Sequence, residues 1–261
     1  MLQDTSTNGK HSDAKYHETS LLTRTIRRIR PILYRVVKIG VPKPGIGLYF
    51  HPSSVTFDEI GIFVHHLLIT ILDGKEFIRI VKLCPNLEDL GLWDDEFGEF
   101  IPALLDVLDH QPVMKLSVDL SLLDSNSVSR PAFSRITHFD VLALSGRSWA
   151  HWSPIASLPC LTHLCINGLV DFDVISNLLE KCTLLQVLFL SIISPLVHPN
   201  SPGDPIVRIT ALQDARLVLM EGYSWREANI DWKMGARGGF DLCTFGRMVC
   251  EARSRESNIY H

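Results

Sequence analysis

A hexamer with apolar residues at its first, fourth and sixth positions recurs along this chain, and it recurs at nearly even steps. It reads "VHHLLI" from Val64, "LEDLGL" from Leu87, "VMKLSV" from Val113, "ITHFDV" from Ile136, "LTHLCI" from Leu161 and "LQVLFL" from Leu185. The steps between first positions are 23, 26, 23, 25 and 24 residues. One such hexamer is common in any leucine-containing chain. Six in even steps define a repeat, with a period inside the range of roughly 20–29 residues typical of leucine-rich units. A seventh unit around "ARLVLM" keeps Leu217 and Leu219 but has Asp214 where the first apolar residue belongs.

A unit this short cannot bury its own apolar face, so stacking on its neighbours is the only route to a core. The intervening residues say what else each unit contains. "KEFIRIVKLC" and "DVISNLLEKC" carry apolar residues at helical spacing, Phe77, Ile80 and Val81 in one and Val174, Ile175, Leu178 and Leu179 in the other. Pro102 and Pro154 fit a first helical turn, where the missing N–H costs little. Asp73 and Asp173 fit N-caps. Cys84 and Cys182 fall at the ends of these helices and read as buried core thiols. The expectation is an α/β leucine-rich-repeat-like solenoid, with a parallel sheet on the concave face and helices on the convex face. No asparagine ladder accompanies the repeats, so their curvature is expected to be irregular.

Side chains alternate along a strand, so residues between the apolar positions face the concave side. They form three columns across the strands. The first is His66, Asp89, Lys115, His138, His163 and Val187; the second is Leu68, Gly91, Ser117, Asp140, Cys165 and Phe189; the third is Thr70, Trp93, Asp119, Leu142, Asn167 and Ser191. A face mixing polar and aromatic groups suits protein recognition. The candidate partner-binding residues are therefore His66, Asp89, Trp93, Lys115, Asp119, His138, Asp140, His163, Asn167 and Phe189.

The array is flanked on both sides. Residues 1–20 are polar and read as disordered; 21–45 hold a basic helical stretch, an extended apolar segment after Pro31 and a turn-rich link; the repeats occupy 46–220, with a proline-rich loop at 194–205. Residues 221–261 carry Trp225, Trp232 and "GARGG", and read as an extension capping the exposed end of the array, with Asp231 and Arg237 placed to pair.

Composition narrows the function. The net charge of −4 makes no electrostatic case for nucleic acid or a membrane surface. No apolar run is long enough to span a bilayer or to serve as a signal peptide, and six scattered cysteines without CxxC pairs suit a reducing compartment, so a cytoplasmic or nuclear protein is expected. No GxSxG, HExxH, GxGxxG or P-loop motif occurs, and "GARGG" lacks the GK[ST] ending of a phosphate loop. Neither enzymatic activity nor a cofactor is expected. His138, His163, Cys165 and Asp140 are neighbours on adjacent strands but lack zinc-motif spacing, so no metal is expected there.

"KLCPNLEDLGLW", "LPCLTHLCINGL" and "KCTLLQVLFLSI" resemble the repeats of F-box and leucine-rich-repeat-like proteins of mushroom-forming fungi. "PILYRVVKI" resembles the end of the F-box segment of that family, and "DWKMGARGGFD" its C-terminal segment. The resemblance implies a substrate-recognition subunit of an SCF-type ubiquitin ligase. Its unknown protein target would sit on the concave face. The Skp adaptor and cullin would be reached through the F-box, of which Leu33, Tyr34 and Val36 are the adaptor-binding remnant. The Leu-Pro start of an F-box is missing from residues 1–20, so that segment is expected to be truncated or degenerate. The alternative is a standalone repeat scaffold without ligase association.

Overall fold

In a computed structural model of the chain, the described residues are 25, 27–40, 56–70, 72, 74–93, 98–124, 126–142, 148–168, 170–192, 205–221 and 224–259. The polar stretch 1–20, the link 41–48, Asp73 and most of the proline-rich loop lie outside them.

Eight strands form one all-parallel sheet in strict chain order: β1 (Val36–Ile39), β2 (His66–Ile69), β3 (Asp89–Leu92), β4 (Lys115–Asp119), β5 (His138–Leu142), β6 (His163–Asn167), β7 (Val187–Ile192) and β8 (Leu217–Glu221). Each of the six hexamers supplies one strand from its third residue onward. β1 is the extended segment after Pro31, and β8 the imperfect seventh unit. Register never slips: Leu67, Leu90, Leu116, Phe139, Leu164, Leu188 and Leu217 lie side by side across successive strands.

These residues are buried against a convex layer made of α1 (Phe57–Ile60), α2 (Gly74–Lys82), α3 (Ile101–Leu108), α4 (Trp149–Trp152), α5 (Phe172–Lys181), α6 (Pro205–Thr210) and short 3-10 turns. Phe77, Val81, Leu104, Leu108, Ile175 and Leu178 interleave with the strand residues in one continuous core. The layer thins in the middle, where 3-10 turns at Pro131–Arg135 and Ser153–Ser157 stand in for full helices. Pro102 and Pro154 occupy first-turn positions as expected. Cys84 and Cys182 are buried at helix ends, and burial pushes their thiols up to about 12 and about 11.

Three expectations are corrected locally. Asp171, not Asp173, sits at the N-cap of α5, and Asp173 lies in its first turn. Pro205 opens α6 instead of closing a loop, because a proline at a helix start loses nothing. Asp214 is not a failed core position. Its carboxylate accepts the Arg216 backbone N–H at 2.9 Å and pairs with the Arg216 guanidinium at 2.7 Å, while the same guanidinium donates to Leu179 O at 2.7 Å. These bonds tie the entry of β8 to the end of α5 and hold the Asp214 carboxyl below its ordinary range.

The largest departure concerns the tail. It forms α7 (Trp225–Ala236) and α8 (Leu242–Ile259), which lie across the concave face of the sheet instead of capping its end. Contacts follow strand order. Asn229 accepts a hydrogen bond from Lys38 on β1, and Trp232 donates to Asp89 on β3 at 3.4 Å. Leu242 and Cys243 face His163 and Cys165 on β6. Gly246 rests on Val187 of β7, and Arg253 donates to Leu217 O of β8 at 2.6 Å.

Candidate functional site

The three concave columns stand as the alternation of the strands places them. His66, Asp89, Lys115, His138 and His163 are register neighbours in turn, as are Gly91, Ser117, Asp140, Cys165 and Phe189. Asp119 is level with Leu142, and that with Asn167.

These side chains hydrogen-bond to one another across the strands. Trp93 Nε1 donates to Ser117 Oγ at 2.7 Å, and Ser117 Oγ donates to Asp140 Oδ2 at 2.7 Å. Asn167 Nδ2 donates to Asp140 Oδ1 at 2.6 Å. Four strands are thus linked through one carboxylate. Asp140 retains some surface, which lines a partly open cavity beneath the tail. Removal from water is the dominant influence on it, and it lifts the Asp140 carboxyl to about 6 despite the bonds from Ser117 and Asn167. Beside this ladder, His66 Nδ1 stands 3.3 Å from Asp89 Oδ2.

The rings of His138 and His163 stack, with centroids 4.2 Å apart and planes 5° from parallel. Each follows a threonine in the repeated Thr-His dipeptide. Thr162 Oγ1 donates to Thr137 O at 3.0 Å, and Thr137 Oγ1 to Met114 O at 3.3 Å. With both hydroxyl hydrogens committed, each histidine Nδ1, 2.9 Å from its threonine oxygen, is the donor, which assigns the proton to Nδ1. Burial lowers both histidines; His163 and Lys115 add to the effect on His138, which falls to about 3, and Arg247 and Lys115 add to that on His163. The stacked pair is therefore neutral at physiological pH, with Nε2 as its acceptor. Among the described residues, no group of three or more His, Cys, Asp or Glu side chains could hold a metal ion.

The tail closes the other side of a cavity of about 90 Å³. Its floor includes Asp89, Trp93, Lys115, Asp140 and the two histidines, and its roof Asp231, Trp232, Gly235, Asp241 and Cys243. Of the concave residues singled out by sequence, His66, Asp119 and Phe189 stand outside this wall. Phe189 belongs instead to an apolar cluster with Val187, Val218 and Cys250 beneath α8.

"GARGGFD" is the joint between the two helices. Gly239 N–H bonds Met234 O at 2.8 Å and Gly238 N–H bonds Gly235 O at 2.9 Å, with Gly238 at φ +74°, which together make a Schellman stop. Asp241 then starts α8, accepting the Thr244 N–H at 2.8 Å. Gly235 has no Cβ because Asp241 Oδ2 would lie 2.3 Å from it. Asp231 does not serve the expected pair with Arg237; its Oδ1 accepts the Leu242 N–H at 2.9 Å, and Arg237 is exposed. Ser224 and Glu227 form a capping box at the start of α7. "SWRE" spells that box, a helix-start signal in the sequence that the expectation of an end cap left unused.

At the other end of the chain, residues 27–33 are helical. Of the adaptor-binding remnant, Leu33 is 64% exposed, Tyr34 packs against the solenoid core, and Val36 is half-buried in β1 in register with His66. No helix among the described residues is long and apolar enough to cross a membrane. No family model, curated protein or solved structure matches the chain, so the reading of its function rests on this geometry and on the repeats themselves.

Proposed function

We propose that the chain is a protein-interaction module that binds its target on the concave repeat face, acting by recognition and not by catalysis, and that it serves as a substrate-recognition subunit of an SCF-type ubiquitin ligase. The observation that carries the binding reading is the unbroken register. It sets Asp89, Lys115, His138 and His163 in one row beneath α7, where a carboxylate, a cation and two neutral imidazoles would meet a partner that takes that helix's place. Solenoids commonly use such rows as extended recognition surfaces. The ligase reading is supported by the helical residues 27–33, whose Ile29, Ile32 and Leu33 are exposed just before β1, where an F-box would pass into the array.

Affinity purification of the tagged chain followed by mass spectrometry tests both parts. Co-purified adaptor and cullin support the ligase role, and a target lost on Lys115→Glu supports the concave face. A target retained by Lys115→Glu together with a disrupted row partner, Asp89→Lys, would rule that face out. A standalone scaffold is the second reading, favoured by the use of Tyr34 to pack the array.

A further inference from the structure

The concave face is built in two halves of opposite character. Under α8 it is apolar: Val187, Phe189 and Val218 meet Cys250, Leu242 and Val249 in a closed cluster. Exposing that half would strand apolar surface. Under α7 and the joint it is polar, and its hydrogen bonds are made within the sheet. Trp93, Ser117, Asp140 and Asn167 satisfy one another, His66 faces Asp89, and both histidines bond their own threonines. That half needs no cover to keep its polar groups paired.

The two helices are held accordingly. α8 has the apolar cluster, the close seat of Gly246 on Val187 and the 2.6 Å bond from Arg253 to Leu217 O. α7 makes a few polar contacts, the long 3.4 Å bond from Trp232 to Asp89 and the Lys38–Asn229 bond to the sheet, and the 2.9 Å bond from Leu242 N–H to Asp231, which is released when α7 swings away from α8. Beneath it lies the cavity of about 90 Å³, and its outer side leaves Ile230 and Met234 exposed. Between the helices stands a joint whose residues Arg237, Gly238, Gly239 and Phe240 are all exposed.

We propose that α7 is a displaceable occupant of the polar half of the concave face, hinged at Gly238–Gly239 on a permanently docked α8, and that the partner which replaces it is another helix of the same chemistry. This rests on the concave-face reading above. α7 shows what such a partner must present. It needs small residues toward the sheet, as Ala228, Gly235 and Ala236 provide, and an N–H donor able to reach Asp89, as Trp232 provides.

Hydrogen exchange on the intact chain tests the hinge. Amides of 228–236 are expected to exchange at least tenfold faster than those of 246–253 and of β4–β6. Trp232→Ala and Lys38→Ala should each speed α7 further and leave α8 unchanged. Equal protection of the two helices in the unmodified chain overturns the hinge, whatever the variants do. The partner is tested with a fluorescent peptide of residues 224–241. It should bind the Trp232→Ala chain at least tenfold more tightly than the parent chain. If α7 opens freely and the peptide binds neither, the hinge stands and the helical partner is overturned.

Discussion

Asp140 gives the array a pH signature that can be read on its own. Its carboxyl rises from an ordinary 3.8 to about 6 in the fold, because burial disfavours the charged form. Between those values the folded state holds a proton that the unfolded chain has released. Stability therefore falls as pH rises through that window, by roughly 3 kcal/mol in total. Asp140→Asn cannot ionise, so its stability should be flatter than that of the parent from pH 4 to 7, and it should melt higher than the parent at pH 7. Thermal melts across that range check this, and a constant difference between the two proteins would remove Asp140 as the cause. The register makes a second contrast between adjacent residues. Leu164 is fully buried in the convex core, whereas its neighbour His163 is half-buried in the wall of the concave cavity. Leu164→Asp should abolish soluble folded protein, since an unpaired carboxylate there costs several kcal/mol. His163→Gln should shift the melting temperature by a few degrees only, because the side chain lines the cavity and keeps a donor for Thr162.

At the scale of elements, the joint between α7 and α8 is the most demanding piece of backbone. Gly238→Ala should cost about 1 kcal/mol, the penalty for a Cβ at positive φ, while Gly238→Asn should cost less. Denaturant melts of the two variants give the ordering directly. The strands were legible because period-2 alternation inside a 23–26-residue step leaves one register open, and all three concave columns followed from it. The tail was legible only in part. Its Gly-rich turn and its capping box are local chemistry and stand in the sequence. Where α7 and α8 dock is not local. Trp232 meets Asp89 across 143 residues, and no spacing within the tail distinguishes the inner face of the sheet from its end. The polar character of the concave columns added to the difficulty, since a row of Asp, Lys and His looks like open surface. It proves to be a network paired within the sheet that can lie under a helix without loss.

For the molecule as a whole, the array and the tail contribute differently. Neighbouring strands meet over separations of two to three dozen residues, and each unit is supported by the next, whereas the tail returns to strands laid down far earlier in the chain. Removing residues 224–261 should leave the repeats assembled but uncover Val187, Phe189 and Val218. Lower melting temperature and concentration-dependent aggregation are expected by scattering and calorimetry; a truncated chain that stays monomeric and equally stable would show that the apolar cluster matters little. The tail is also matched in length to the array. Repeat proteins lengthen readily, because an inserted unit stacks like any other, and one more strand would widen this sheet by ~4.8 Å. A helical tail anchored at Lys38 on the first strand and at Leu217 on the last has no such freedom; it would need about three more helical residues for each added unit. The tail thus records the number of described strands it crosses: with one repeat duplicated or lost, α8 would keep its seat on β7 and β8, while α7 would lose its reach to Lys38 and stand open.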